Sequence, residues 1–174
     1  WDDRTLLEVI RDYRVEGVKA FPGYFVNARD ELADDVIRTG RAWPLSGHSL
    51  VKTVHCNEVG YWAEYESDES GFANPPGTWG EALRNGLDFL LLGDSFVHGA
   101  CVKPDFHFSS ILRSHGATAI NTGLRGNGPL LNYAALVEYG LELKPRLVLW
   151  FYTESNDLLN LESESKNKFL RRLQ

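Results

Sequence analysis

The sequence predicts an α/β protein whose second half is a parallel sheet with helices on both faces. Three observations lead there. The run Asp88-Phe-Leu-Leu-Leu-Gly93 is continuously apolar and ended by Gly, the pattern of a strand buried on both faces. Arg146-Leu-Val-Leu-Trp-Phe-Tyr152 is a second such run and the strongest strand signal in the chain. Between them, segments with helical spacing flank a shorter strand, so the order is β-α-β-α-β-α, and strands joined this way run parallel.

The elements follow in order. Asp3 to Gly17 predicts one amphipathic helix with Leu6, Leu7, Ile10 and Tyr13 on its apolar face, and Asn27 to Thr39 a second helical stretch. Residues 41–80 are rich in Gly, Pro, Trp and Tyr. Val51 to His55 and Tyr61 to Tyr65 read as short strands around a turn at Asn57–Gly60. The chain divides near residue 86, with 1–85 as an N-terminal extension of mixed helix and short strands and 86–174 as the α/β part. After the Phe89 strand, Asp105 caps a helix with Phe108, Ile111 and Leu112 apolar, stopped at Gly116. Ala117 to Asn121 is the short strand. Pro129 sits at a first helical position, with Leu130, Ala134, Val137 and Leu141 on one face and Lys144-Pro145 as the stop. From Asp157 a last helix carries Leu158, Leu161, Phe169 and Leu173.

Composition sets the outer bounds. The 174 residues suit one domain, or one with an appendage. The 18 basic and 24 acidic residues leave a net charge of −6, which argues against a nucleic-acid clamp. No apolar run approaches the roughly 18 residues that span a bilayer, and no stretch has the order of a signal peptide. The chain starts at Trp1 and holds no Met, so it is expected to be a processed chain or a piece of a longer one. Cys56 and Cys101 are far apart and lack ligand spacing, which disfavours zinc; they read as a pair or as two buried free thiols. No metal and no nucleotide cofactor is implied.

In a parallel α/β sheet the site forms where loops leave the C-terminal ends of the strands. The first such loop, Gly93-Asp-Ser-Phe-Val-His-Gly99, puts Ser95 at the end of a buried strand, where a base could make it a nucleophile. The second, Asn121-Thr-Gly-Leu-Arg-Gly-Asn-Gly128, can aim backbone N–H groups at an anion. The third, Thr153-Glu-Ser-Asn-Asp157, offers the Asn156 amide. Each alone reads equally as a turn or a helix cap. All three follow predicted parallel strands and would meet in one crevice.

With those residues in place, residues 86–160 resemble the SGNH hydrolase superfamily, the GDSL esterases and lipases. Gly93-Asp94-Ser95 matches its nucleophile block, Gly126 in Asn121-x-x-x-x-Gly126 its second block, and Asn156-Asp157 its third. Tyr65-Glu-Ser-Asp-Glu-Ser-Gly-Phe-Ala-Asn-Pro75 looks like the lead-in of a bacterial, often membrane-associated branch. The resemblance implies a three-layer α/β/α, flavodoxin-like fold. It also implies that Ser95 attacks an ester carbonyl while the N–H groups of Ser95 and Gly126 and the Asn156 side chain form the oxyanion hole, each donor being typically worth about 3 kcal/mol of barrier.

Two departures stand against the pattern. Glu154 replaces the family's Gly in the third block and is expected to reshape that loop. The family's base comes from an Asp-x-x-His segment, and no Asp in this chain is followed three residues later by His. Of the five histidines, His98 lies nearest Ser95 in sequence, His107 and His115 fall in the next helix, and His48 and His55 belong to the N-terminal region. The chain is therefore expected to be truncated before its Asp and His, or to bind without hydrolysing. The missing Met and a sheet of only three strands fit truncation. An open sheet edge could then pair with a second chain, giving a homo-oligomer, or with strands from residues 41–66.

The expected function is a serine esterase acting on O-acyl groups of a carbohydrate or another small ester. The alternatives are an O-acyltransferase using the same Ser95 and a carbohydrate-binding pseudoenzyme. Trp43, Tyr61, Trp62, Tyr65 and Trp79 could stack sugar rings or form an accessory core. The branch resembled implies an extracytoplasmic site, periplasmic or secreted, with membrane association of the full-length protein open.

Overall fold

The computed structural model describes residues 1–23, 45–167 and 170. The helix expected over 27–39, Trp43, Phe169 and Leu173 lie outside the described residues. The described chain is mixed α/β, with six helices and two three-stranded sheets, one of them all parallel.

The N-terminal sheet holds β1 (Ala20–Pro22), β2 (Lys52–Cys56) and β3 (Ala63–Glu66) in that order. β1 runs parallel to β2, and β3 antiparallel to it, with a register shift between Val54 and Cys56. Helix α1 (Leu6–Val15) begins with a capping box in which Thr5 and Glu8 each bond the other's backbone N–H. Its Val9 and Ile10 pack with Ala20 and Val54, and Leu6 and Tyr13 flank them. Leu6, Val9, Ile10 and Tyr13 form a stripe at i, i+3, i+4 and i+7. Leu7, expected on that face, lies one position off the stripe and is exposed.

The second sheet has the order β5-β4-β6, all parallel, from β4 (Phe89–Leu92), β5 (Ala119–Asn121) and β6 (Leu147–Trp150). Central β4 is sealed: Leu90, Leu91 and Leu92 are fully buried. Alternate residues enter different clusters, as the pleat requires. Leu90 and Leu92 pack with Ile120, Leu87 and Ala82, with Trp79, Leu136 and Leu143 at the margin. Leu91 packs with Val97 and Ala119, flanked by Phe89, Leu112, Leu149 and Phe151. Ala82 and Trp79 belong to α2 (Thr78–Asn85), so this helix packs on the parallel sheet.

The run with the strongest strand signal forms the edge. Leu147, Val148 and Trp150 are 56%, 40% and 42% exposed, because β6 has β4 on one side alone. The strands of residues 41–66 do not close that edge. They pair with each other, since the Asn57–Gly60 turn favours a local hairpin over a distant edge.

Three helices differ from expectation. Asp105 falls in a 3₁₀ turn, Pro104–Phe106, and His107 precedes α4 (Phe108–Ser114). Pro104 presets the first dihedral of that turn. The turn rotates Phe108 and Ile111 outward, leaving Ser109 as the buried residue of α4. Helix α5 (Pro129–Ala135) widens into a π turn over Leu136–Gly140 and tightens into a 3₁₀ turn over Leu141–Leu143. The change of pitch moves Val137 and Leu141 to the surface. In α6 (Asp157–Ser165), Leu158 is exposed while Asp157 and Glu164 are buried. This helix docks on α5 by a polar contact, in which Glu164 accepts from the N–H groups of Gly128 at 2.8 Å and Leu130 at 2.9 Å. Among the described residues no helix is long and apolar enough to cross a membrane.

Candidate active site

The first loop is shaped by one carboxylate. Gly93 leaves β4 where a Cβ would collide with the Val97 side chain, so the turn requires glycine. Asp94 is buried, and its Oδ1 accepts the N–H of Phe96 at 3.0 Å, capping the single-turn helix α3 (Ser95–His98). Ser95 is half-buried and opens onto a cleft of about 390 Å³. Phe96, Val102, Phe106, His107, Phe108, Glu58 and Arg125 share its walls. Among the described residues the Ser95 hydroxyl has no hydrogen-bond partner.

The second loop is tied to the first. Asn121 is buried, accepts the N–H of Gly123 at 2.8 Å and donates to the Val97 carbonyl at 2.6 Å. The N–H of Leu124 donates to the Gly93 carbonyl at 3.2 Å. Gly126 has φ +84°, the left-handed region that favours glycine. It directly follows Arg125 of the cleft wall.

The third loop meets the first through side chains. Asn156 Nδ2 donates to Asp94 Oδ2 at 2.9 Å. The next residue, Asp157, is buried and accepts the N–H of Thr153 at 2.8 Å, closing the loop before α6. Burial raises its pKa. Glu154 is exposed. The three loops thus converge at the C-terminal ends of the parallel strands. Asn156 reaches the residue beside Ser95, and Ser95 and the neighbour of Gly126 line one cleft.

The histidines have other partners. His98 is buried with its Nε2 on the Tyr65 hydroxyl at 3.1 Å, and its ring centroid is 5.1 Å from that of His55. Burial lowers the pKa of both, that of His55 to about 4. His107 lines the cleft, but its Nε2 lies 3.1 Å from the Val102 carbonyl and burial lowers its pKa too. His115 is exposed, and the His48 ring packs on Phe21 with centroids 4.5 Å apart.

Cys56 and Cys101 form a disulfide, which removes the free-thiol alternative. The bridge joins the end of β2 to the cleft wall. Among the described residues no group of three or more His, Cys, Asp or Glu is placed to hold a metal ion.

The lead-in segment is structural and reaches the sheet. Asp68 is buried and accepts from the N–H groups of Ser70 and Phe72, from Asn74 Nδ2 and from Trp79 Nε1. Burial still raises its pKa. Asn74 brackets Asn121 of β5, accepting its N–H at 2.8 Å and donating to its carbonyl at 2.9 Å. Trp62 Nε1 donates to the Arg4 carbonyl. Tyr65, Trp79 and Trp62 are therefore held in packing contacts rather than in the cleft. The aromatic walls of the cleft come from Phe96 and Phe106, which sequence reasoning passed over, and from Phe108, which it expected on the apolar face of a helix. Their signal was three Phe between residues 96 and 108, just after Ser95.

No protein-family model, curated protein or solved structure matches this chain.

Proposed function

We propose that this chain carries the nucleophile and oxyanion hole of an SGNH-type serine esterase on a three-layer α/β/α sheet. Its substrates are O-acyl esters, with carbohydrate acetyl esters among them. The observation that carries the reading is the Asn156–Asp94 hydrogen bond at 2.9 Å, which holds an amide donor beside the turn that presents Ser95. Side chains of alternate β4 residues pack into separate clusters, which supports the three-layer arrangement.

In this reading Ser95 Oγ forms a bond to the acyl carbon as its proton passes to a general base. The carbonyl π electrons move onto oxygen. That oxyanion is met by the N–H groups of Ser95 and Gly126 and by Asn156. An Asn amide has two N–H groups. One is taken by Asp94, and the other remains for the oxyanion. Collapse expels the alcohol, which takes the proton, and water then releases the acid and frees Ser95. This reading assigns His98, which is bonded to the Tyr65 hydroxyl, no role as the base. The disulfide supports an extracytoplasmic site, since such bridges persist in oxidising compartments.

A second reading, a binding module that keeps the crevice without hydrolysis, is favoured by the engagement of both His98 and His107 elsewhere. Labelling with a fluorophosphonate probe, alongside release of free acid from an O-acetyl sugar, decides between them. The esterase reading expects labelling and release by the wild type and neither by Ser95→Ala. Equal labelling of Ser95→Ala removes the nucleophile assignment. Binding of the sugar without labelling supports the second reading.

A further inference from the structure

We propose that Arg125 is the specificity residue of the Ser95 cleft, and that the ester bound there carries an oxyanion, a carboxylate or phosphate, on an apolar or ring-shaped body. The proposal rests on the esterase reading for the identity of the reacting group, and on the cleft itself for the rest.

The apolar body follows from the walls. Phe96 and Phe106 are each 67% exposed, and Phe108 and Val102 are also solvent-facing. All four gather in the cleft that holds Ser95. Large apolar side chains exposed together on a water-soluble surface mark a binding site. The volume of about 390 Å³ falls within the usual range for small-molecule sites, roughly 300–1,000 Å³. An acetyl group fills only a small part of that space, so the bulk of the ligand must be a ring or chain lying on the Phe faces.

The oxyanion follows from the charges. Among the residues lining the cleft, Arg125 is the cation, Glu58 the anion, and His107 is kept neutral near pH 7 by burial. Arg125 Nη2 and Glu58 Oε1 are 3.7 Å apart, longer than the roughly 2.7–2.9 Å of a close charge-assisted bond. The Arg125 side chain is 28% exposed and that of Glu58 is 67% exposed. The cation is thus the more desolvated partner, and the anion is mostly in water. A pair with one exposed partner at this distance contributes little. The planar guanidinium fork matches a carboxylate or phosphate in two-point geometry. Glu58 occupies the place that a ligand oxyanion would take. The net charge of −6 repels anions from the protein as a whole, so selection for one must be local to this arginine.

The test is binding to Ser95→Ala, so that no turnover is needed, followed by NMR titration. The probes are para-acetoxybenzoate, its uncharged methyl ester and para-acetoxyphenyl phosphate. The proposal expects at least one anionic probe to bind about tenfold tighter than the methyl ester. The tighter of the two names the oxyanion. Arg125→Gln should abolish the preference, and Glu58→Gln should increase affinity for the anion about two- to threefold by removing its competitor. These opposite signs are not expected of residues that only hold the fold, and the Glu58 variant keeps the test decisive should Arg125→Gln unfold. Equal binding of charged and uncharged probes overturns the proposal, as does an unchanged preference in both variants. The esterase reading is separated by wild-type turnover. Anion-selective binding without hydrolysis leaves the Arg125 assignment standing and removes the esterase. Hydrolysis of all three probes at equal efficiency does the reverse.

Discussion

Asn156 and Asp94 are 62 positions apart in the chain and joined by a 2.9 Å hydrogen bond from amide to carboxylate. The other oxygen of Asp94 caps the turn that begins at Ser95. One buried carboxylate therefore fixes both the candidate nucleophile and a candidate oxyanion donor, so a displacement of either is felt by the other.

That double role predicts the behaviour of two variants. Asn156→Ala should slow fluorophosphonate labelling about 10²–10³-fold, the usual cost of losing an oxyanion donor, and lower stability by about 1–3 kcal/mol because it removes the amide donor from Oδ2 of buried Asp94. Asp94→Asn keeps the shape but replaces one acceptor with a donor. It should slow labelling about tenfold and lower stability by about 1 kcal/mol through the cap. Labelling rates and thermal melts on both proteins check this. A wild-type labelling rate in Asp94→Asn means that the clamp is not used.

Glu164 offers a test of the fold outside the cleft. It accepts two N–H groups at the start of α5, and Gly128 is packed so closely that a Cβ would come within 2.5 Å of Asn160 Cβ. Glu164→Gln should lower stability by about 1–3 kcal/mol in urea denaturation. Amide exchange at Gly128 and Leu130 should accelerate.

The Cys56–Cys101 bridge closes a loop of sequence separation 45. The chain-entropy relation for a loop of that length gives about 4 kcal/mol. The double variant Cys56→Ser, Cys101→Ser should lose stability of that order. Reductant should lower the wild-type melting temperature and leave the double variant unchanged.

His55 sets a pH dependence. Burial, with a smaller contribution from the charge of His107, holds its pKa at about 4 in the folded state, against about 6.5 when unfolded. Between those values the unfolded chain binds more protons, so the contribution of His55 to stability is full above about pH 6.5 and is lost as pH falls toward 4. The loss amounts to roughly 3 kcal/mol. Burial lowers the pKa of His98 too, and it adds in the same direction. Buried Asp68 and Asp157, with raised pKa values, act in the opposite sense. Melting curves of wild type and His55→Gln between pH 7 and pH 5 isolate the term: the wild type should lose more stability over that range. Parallel curves would rule His55 out as its source.

Much of the architecture was legible from local pattern. The sealed run at Leu90–Leu92, the start of α5 at Pro129 and the β-α-β-α-β-α order each depend on neighbours in sequence, and the three site-bearing loops follow from that order. Other features were not legible because they depend on what packs alongside. The apolar content of β6 says nothing about its being an edge. A π turn after Ala135 shifts a helix face that regular spacing would have continued. His98, three residues from Ser95, looks available in the sequence and is sealed against Tyr65 of the other sheet.

The sequence by itself determined that Ser95, Gly126 and Asn156 leave the same end of a parallel sheet, because strand order and hydrophobic period are local properties of the chain. Only the tertiary structure decided that Asp94 clamps Asn156, that Cys56 bonds Cys101, and that Arg125 and three phenylalanines line the cleft of Ser95. Each of those joins residues distant in sequence, or sets which way a side chain faces, and such contacts form only when the elements have packed.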